Sequence, residues 1–336
     1  MTHEHEHEHD HDHDHDHGHE HDHGHEHPGH HHGVAVAALA PGSAFAVGVV
    51  LNVAFVVVES VFGVLAHSMA LLADAAHNLG DVLGLLLAWG AAVLARRPPS
   101  PRRTYGLRRS TILAALANAV LLLVAVGVAC RASVLRLGAP RPVPGVTVIA
   151  VAAVGVLVNG ASAMMFHRSR KTDANARGAF LHLVSDALVS LGVVVAGLVM
   201  WRTHWWWLDP AMSLAVSLVI VGGAWSLLKE ALDLSLDAVP RHIKIAAVEE
   251  YLLGLPDVRG VHDLHVWSLS TTDVAMTAHL VMPAGAATRA MQRGVVDAMR
   301  TRFGIGHTTL QVEDLAADGE SDPDCQHADG CRPTSP

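Results

Sequence analysis

From residue 43 onward the chain alternates long apolar runs with short polar ones. Six runs approach or exceed the roughly 20 residues that a bilayer crossing needs. They are Ser43–Leu65, Met69–Leu94, Ser110–Ala129, Gly145–Phe166, Ala179–Met200 and Pro210–Leu228. Glycine inside them is no obstacle, since membrane helices carry more of it than soluble ones. Six such runs leave almost no polar face for water, which argues against a large soluble helical protein. After the sixth, "KEALDLSLDAVPR" reads as a helix exit and linker, and the periodicity changes. "RHIKIAAVEEYLLGL" is an amphipathic helix, "VRGVHDLHVWSLS" and "DVAMTAHLVMP" are strands joined by a tight Thr-Thr turn, "ATRAMQRGVVDAMRTRF" is a second helix and "HTTLQVEDL" a third strand. The order αββαβ predicts a small α+β domain with its helices on one face of a three-stranded sheet. The expected organisation is a disordered head at 1–33, a six-helix membrane domain at 43–229, a soluble domain at 240–315 and a flexible tail at 316–336.

Composition agrees. Of 336 residues, 51% are hydrophobic and only 16% charged, and mean hydropathy is +0.32 despite an almost wholly polar head, so the remainder is more apolar than a soluble domain requires. Three cysteines make no disulfide framework. The head, rich in His, Asp and Glu, is unlike a secretory signal, which opens on basic residues before an apolar stretch. Arginine sets the orientation. The loop after the second run holds six arginines and the loop after the fourth holds four Lys/Arg, against three after the third and one after the fifth. The positive-inside rule puts the two richer loops in the cytoplasm, and with six spans both termini as well. Trp205, Trp206 and Trp207 suit an interfacial belt on the far side.

The polar residues inside the apolar runs carry the chemistry. "DAAHNLGD" in the second run places His77 and Asp81 four apart on one helix face, with Asp74 a turn earlier. "HLVSDALVS" in the fifth repeats the spacing with His182 and Asp186. Each ionisable group near the bilayer centre costs on the order of 3 kcal/mol, so four cost on the order of 10 unless something compensates. A divalent cation does so, because it matches two carboxylates and two imidazoles at once. Two nitrogens and two oxygens suit tetrahedral Zn²⁺; Mg²⁺ and Ca²⁺ prefer oxygen-only shells. Asn118 and Asn159 read as packing groups, whereas Asn52 and Glu59, seven apart on one face of the first run, either line an aqueous path or bind helices together.

The soluble segments repeat the theme. The alternating His/Asp/Glu head cannot build a packed core and is suited to loose metal capture. The 240–315 region carries His262, His265, His279, His307 and Glu313, and His265 with His279 on neighbouring strands makes a shared second metal site geometrically reasonable. Cys325, His327 and Cys331 in the tail offer further ligands or none. The chain lacks HExxH and GxxxxGK[ST], so neither a zinc hydrolase nor an ATP-driven pump is expected. Nothing points to nucleic acid.

"SMALLADAAHNLGD", "RRTYGLRRSTILAALAN", "HLVSDALVSLGVVVAG" and "VHDLHVWSLS…AHLV…HTTLQVE" together resemble the cation diffusion facilitator family, over roughly Ser43 to Glu313. The likeness is greater to its bacterial zinc/cadmium/cobalt exporters and the zinc transporters of animals. The resemblance implies a homodimer in the inner (plasma) membrane with a ferredoxin-like cytoplasmic domain, moving Zn²⁺ out of the cytoplasm in exchange for protons. It implies a transport site at His77, Asp81, His182 and Asp186. It also implies regulatory ligands at His265, His279, His307 and Glu313, with His242 a weaker match. Aspartate in place of His77 would broaden selectivity toward Cd²⁺. Some members hold a further zinc site between the second and third spans; here that loop has no His, Asp, Glu or Cys, so no metal is expected there. The alternative is a membrane metal sensor or store that binds without transport.

Overall fold

The computed structural model describes residues 43–171 and 174–314. The His-rich head and the Cys325–Cys331 segment lie outside them. Six long helices come first: α1 Ser43–Leu65, α2 Met69–Ala95, α3 Ser110–Gly138, α4 Gly145–Phe166, α5 Ala174–Thr203 and α6 Leu208–Ser235. Five of these are long and apolar enough to span a bilayer, and α1 adds the apolar stretch Asn52–Leu65. Three helices exceed the apolar runs by several residues, and α2 by one. α3 continues nine residues past Ala129, α5 starts at Ala174 and α6 ends at Ser235. Hydropathy measures the hydrocarbon layer, whereas backbone hydrogen bonding carries a helix on into the headgroups. There Arg131, Arg136 and Lys229 can snorkel.

Polarity is distributed inside out. Leu157, Leu218 and Val128 are exposed, while Glu59, Asp74, Asn78, Asp186, Ser190 and Asp209 are buried. Only 17–33% of each spanning window is buried within the protein, so most of each helix is left to face lipid. With no hydrophobic drive between helices in lipid, association relies on close packing of small residues. A Cβ on Gly145 would lie 2.9 Å from the carbonyl oxygen of Gly197, so only glycine lets α4 and α5 approach this closely. Gly84 of α2 likewise makes room for the Asn118 amide of α3.

α2 packs against α1, α3, α5 and α6. Its N-terminus is held by an unusual cap. Ser68 Oγ accepts from Leu71 N (3.3 Å). Asp209, in the first turn of α6, accepts from Ser68 Oγ (2.5 Å), Met69 N (2.6 Å) and Ala70 N (3.2 Å). One carboxylate thus satisfies three donors at a helix start, where free N–H groups and the helix dipole favour an anion.

The soluble domain follows as α7 Ile245–Leu253, β1 Gly260–Ser268, β2 Val274–Met282, α8 Arg289–Arg302 and β3 His307–Asp314. β2 is central, antiparallel to β1 and parallel to β3, and α8 supplies the crossover that a parallel pair requires. Alternation on β2 sends Val274, Met276, Ala278, Leu280 and Met282 into a core with Val248 and Leu252 of α7 and Val295 and Met299 of α8. Thr277 and His279 go to the opposite face.

Replacing Asp209 with alanine strands three donors at about 1–3 kcal/mol each. Thermal unfolding of the detergent-solubilised protein is expected to shift down by several degrees, and Asp209→Asn, which keeps an acceptor oxygen, by clearly less.

Candidate metal centre

His77 and Asp81 stand on successive turns of α2, and His182 and Asp186 on successive turns of α5, where the two helices meet over a short stretch. The i,i+4 spacing aims each pair at the same crossing point, and the crossing brings the pairs together. His77 Nε2 lies 3.7 Å from Asp81 Oδ2 and 3.3 Å from Asp186 Oδ1. His182 Nε2 lies 3.3 Å from Asp81 Oδ2 and 3.5 Å from Asp186 Oδ2. Every imidazole therefore touches both carboxylates, and the four groups close a ring. The two imidazoles meet edge to face with centroids 6.0 Å apart.

The dimensions are informative. Nitrogen and oxygen ligands at about 2.0–2.1 Å from a tetrahedral ion lie about 3.3–3.4 Å from one another. The four nitrogen–oxygen separations, 3.3 to 3.7 Å, approach that edge length, with His77 on one oxygen of Asp186 and His182 on the other. Taking one ligand atom from each residue, those of His77, Asp81 and Asp186 all lie within 4.8 Å of one another, and His182 stands outside that group, against Asp81 and Asp186. Asp186 is nearly buried, and Asp81 and His182 retain partial exposure of 21% and 26%, so the ring is reachable from one side.

Asp74 shares the helix face of His77 but does not join this ring. Its Oδ2 accepts from Ser190 Oγ at 3.0 Å, and its other neighbour is the Glu59 carboxyl on α1. Glu59 Oε2 in turn accepts from Asn78 Nδ2 at 3.2 Å. Of the other polar residues in the spans, Asn159 is buried and Asn118 sits against Gly84, which is consistent with packing roles.

The cytoplasmic domain gathers a second group. His262 Nε2 is 2.8 Å from Glu313 Oε2, and His279 Nδ1 is 2.7 Å from Glu313 Oε1. The rings of His262 and His279 lie 5.0 Å apart. All three residues sit on the sheet face opposite the helices, with His262 directly across from His279. Of the residues grouped from the sequence, His279 and Glu313 are therefore together, and His262 stands where His265 was expected. A bulge is the cause. The register slips between His262 and His265, with Asp263 at φ 50°, so both histidines turn to the same face and His265 moves on to lie opposite Thr277. There His265 is exposed and pairs with Asp263 Oδ1 at 2.9 Å, while Asp263 Oδ2 is 3.4 Å from His279 Nε2.

His307 is elsewhere. Six residues separate it from Glu313 along an extended strand, about 20 Å. Its Nε2 lies 2.9 Å from Arg108 Nη1, and its ring stands edge to face with Tyr105. His242 lines a surface cavity with Lys244, Arg302 and Phe303. The arginine-rich loop after α2 has a structural role that hydropathy did not reveal. Arg108 also pairs with Asp273 (3.4 Å), Arg109 with Asp237 (2.6 Å), and Thr111 Oγ1 accepts from Thr271 N (3.1 Å), which ties the soluble domain to the start of α3.

Residues 45–234 match the family described as "Cation efflux transmembrane domain", and residues 240–315 the one described as "Cation efflux protein, cytoplasmic domain". The chain is 34% identical over 273 residues to "Metal cation efflux system protein CzcD" of Cupriavidus metallidurans, covering 80% of this chain and 85% of that protein. It is 36% identical over 278 residues to "Zinc transporter ZitB" of Escherichia coli, covering 82% and 88%. It is 29% identical over 278 residues to the "Cadmium, cobalt and zinc/H(+)-K(+) antiporter" of Bacillus subtilis, covering 81% and 89%. The solved metal-bound C-terminal domain of the CzcD transporter is 32% identical, covers 21% of this chain and 99% of that one, and has a TM-score of 0.20. With both its multi-pass membrane domain and its cytoplasmic domain matched, the chain belongs to the cation efflux family, the cation diffusion facilitators, whose members are metal-ion transporters and not enzymes.

Proposed function

We propose that the protein exports Zn²⁺ from the cytoplasm in exchange for protons, by alternating access around His77, Asp81, His182 and Asp186. The observation that carries this reading is the closed ring in which each imidazole lies 3.3 to 3.7 Å from an oxygen of both carboxylates. Charge supports it as well. Zn²⁺ with two aspartates and two neutral imidazoles has the same net charge as two aspartates with two imidazoliums. The site can therefore trade the metal for two protons without leaving a bare charge in the membrane. Histidine titrates near physiological pH, which lets a modest pH difference across the membrane choose between the two occupants.

The histidine surroundings favour release. His77 Nδ1 is buried with no hydrogen-bond partner among the described residues. Histidines of permanent metal sites usually donate that second N–H to a carboxylate or carbonyl, which raises affinity. A ligand without this tie suits a cargo that must leave. The names of the relatives support a zinc-class cargo, and that of the Bacillus subtilis protein supports protons among the exchanged ions.

Two further readings complete the proposal. His262, His279 and Glu313 form a metal-sensing site in the cytoplasmic domain, in place of the His265–His307 set, and the family of that domain supports a homodimer. The arginine-rich loop and both termini lie in the cytoplasm of a cell whose inner membrane the six helices cross.

Two experiments test these assignments. In proteoliposomes, Asp81→Ala or His182→Ala is expected to lower Zn²⁺ flux on the order of 100-fold, since breaking a buried charge pair costs about 3 kcal/mol. His77→Asp is expected to gain Cd²⁺ flux, and wild-type Zn²⁺ rates in the alanine variants would refute the four-ligand site. A protein that binds Zn²⁺ but shows no flux at all would be the sensor or store instead. For the cytoplasmic site, equilibrium dialysis in an Asp81→Ala background is the check. His279→Ala is expected to weaken the remaining Zn²⁺ binding about 100-fold and His265→Ala no more than a few-fold; equal losses would restore His265 as a ligand.

A further inference from the structure

Glu59 and Asp74 are the two buried carboxyl groups in the spans that the metal ring leaves unused. Both are 0% exposed. They lie within hydrogen-bonding reach of each other, across the α1–α2 interface. Each has one oxygen already satisfied: Glu59 Oε2 by the Asn78 amide at 3.2 Å and Asp74 Oδ2 by the Ser190 hydroxyl at 3.0 Å. The second oxygen of each, Glu59 Oε1 and Asp74 Oδ1, is buried and meets no donor among the described residues.

Ionised carboxylates are acceptors only. Two of them within reach of each other, with no arginine or lysine acting on either among the described residues, leave two orphaned acceptors and two like charges in a low-dielectric interior. A single proton removes both faults at once: it turns one carboxyl into a donor for the other. The titratable groups nearest the pair are His77 on α2 and Asp186 on α5, and neither is hydrogen-bonded to it. α4, which also packs against α1 and comes close to Ser190 at Gly155, carries no titratable residue. Asn52 of α1 adds one more buried oxygen without a donor.

Depth gives the pair a direction. Asp74 precedes Asp81 by seven residues of α2, about 10 Å nearer the α1–α2 connection, and Glu59 lies about 9 Å from the same end of α1. In the orientation set by the arginine loops, that end is the outer one, from which protons enter. We propose that Glu59 and Asp74 form a proton-binding carboxyl pair that holds one shared proton and relays protons between the outer face and the ligand histidines. The relay rests on the proton-exchange reading above; the shared proton does not.

Infrared spectra of the full-length protein in lipid, recorded in H₂O and D₂O at neutral pH, test the shared proton. A carboxylic-acid C=O band is expected in wild type, and its loss is expected in Glu59→Gln and Asp74→Asn alike, because either amide supplies the missing donor and leaves the remaining carboxylate ionised. Absence of the band in wild type overturns the pair whether or not the variants fold, and so does a metal cation taking the proton's place, which would leave both carboxylates ionised. Survival of the band in either variant also overturns it. For the relay, Zn²⁺ flux in proteoliposomes is compared with and without a pH gradient, and Zn²⁺ binding to the same Glu59→Gln sample controls for folding. The gradient-driven part is expected to fall about 10-fold or more with binding changed only a few-fold. An undiminished gradient response in Glu59→Gln removes the relay. Wild-type flux that ignores the gradient would instead refute the exchange reading while the band still reports the pair.

Discussion

Four ionisable side chains held against one another inside a bundle that otherwise faces lipid are the constraint on which the rest of this structure depends. Each would be costly alone. Their mutual contacts offset part of that cost, and a divalent ion or a pair of protons offsets more. The ring works because every imidazole reaches both carboxylates. Rotating α2 or α5 by one residue turns a side chain about 100° away from the crossing, and the same four residues become four isolated polar groups in an apolar interior. The positions of the two helices are therefore part of the chemistry.

That requirement explains the buried polar groups outside the ring. Asp209 ties the start of α6 to the start of α2 through three donors, fixing where α2 begins. Gly84 seats α2 against Asn118 of α3, and Gly145 with Gly197 brings α4 and α5 into backbone contact. Ser190 reaches from α5 to Asp74 on α2, a second strut between the two ligand-bearing helices one turn from Asp186. In lipid, where apolar surface gives helices no preference for one another, such polar struts and small-residue contacts set the geometry.

The cytoplasmic domain solves a similar problem by other means. Strict alternation along β2 gives one face to the core and the other to His279, and a single bulge in β1 turns His262 and His265 onto that same face. Arg108, Arg109 and Thr111 then attach the domain to the cytoplasmic end of the bundle in the proposed orientation, with His307 held against Arg108. The arginines on which the proposed orientation rests thus also dock the domain. Rearrangement around His262, His279 and Glu313 would be felt at that junction, because β3 carries Glu313 at one end and His307 at the other.

The sequence alone determined whatever depends on a local period. Apolar run length located the six helices, and i,i+4 spacing put His77 with Asp81 and His182 with Asp186 on single faces. Alternation gave the order αββαβ. These survive because helix pitch and strand pleat are backbone constants, indifferent to distant residues. Tertiary structure decided what depends on which element meets which. Asp74 shares a helix face with His77, yet Ser190 and Glu59 draw it away from the ring, and no spacing rule contains α1 or α5. Asp209 holds the start of α2 only because α6 meets α2, which no local pattern contains. His262, and not His265, lies across from His279 because one bulged residue changed the register, an event that period-2 reasoning cannot capture. The residues that could hold a metal were legible one by one; which of them converge on a single point is a property of helix crossings and strand register, and only packing fixes those.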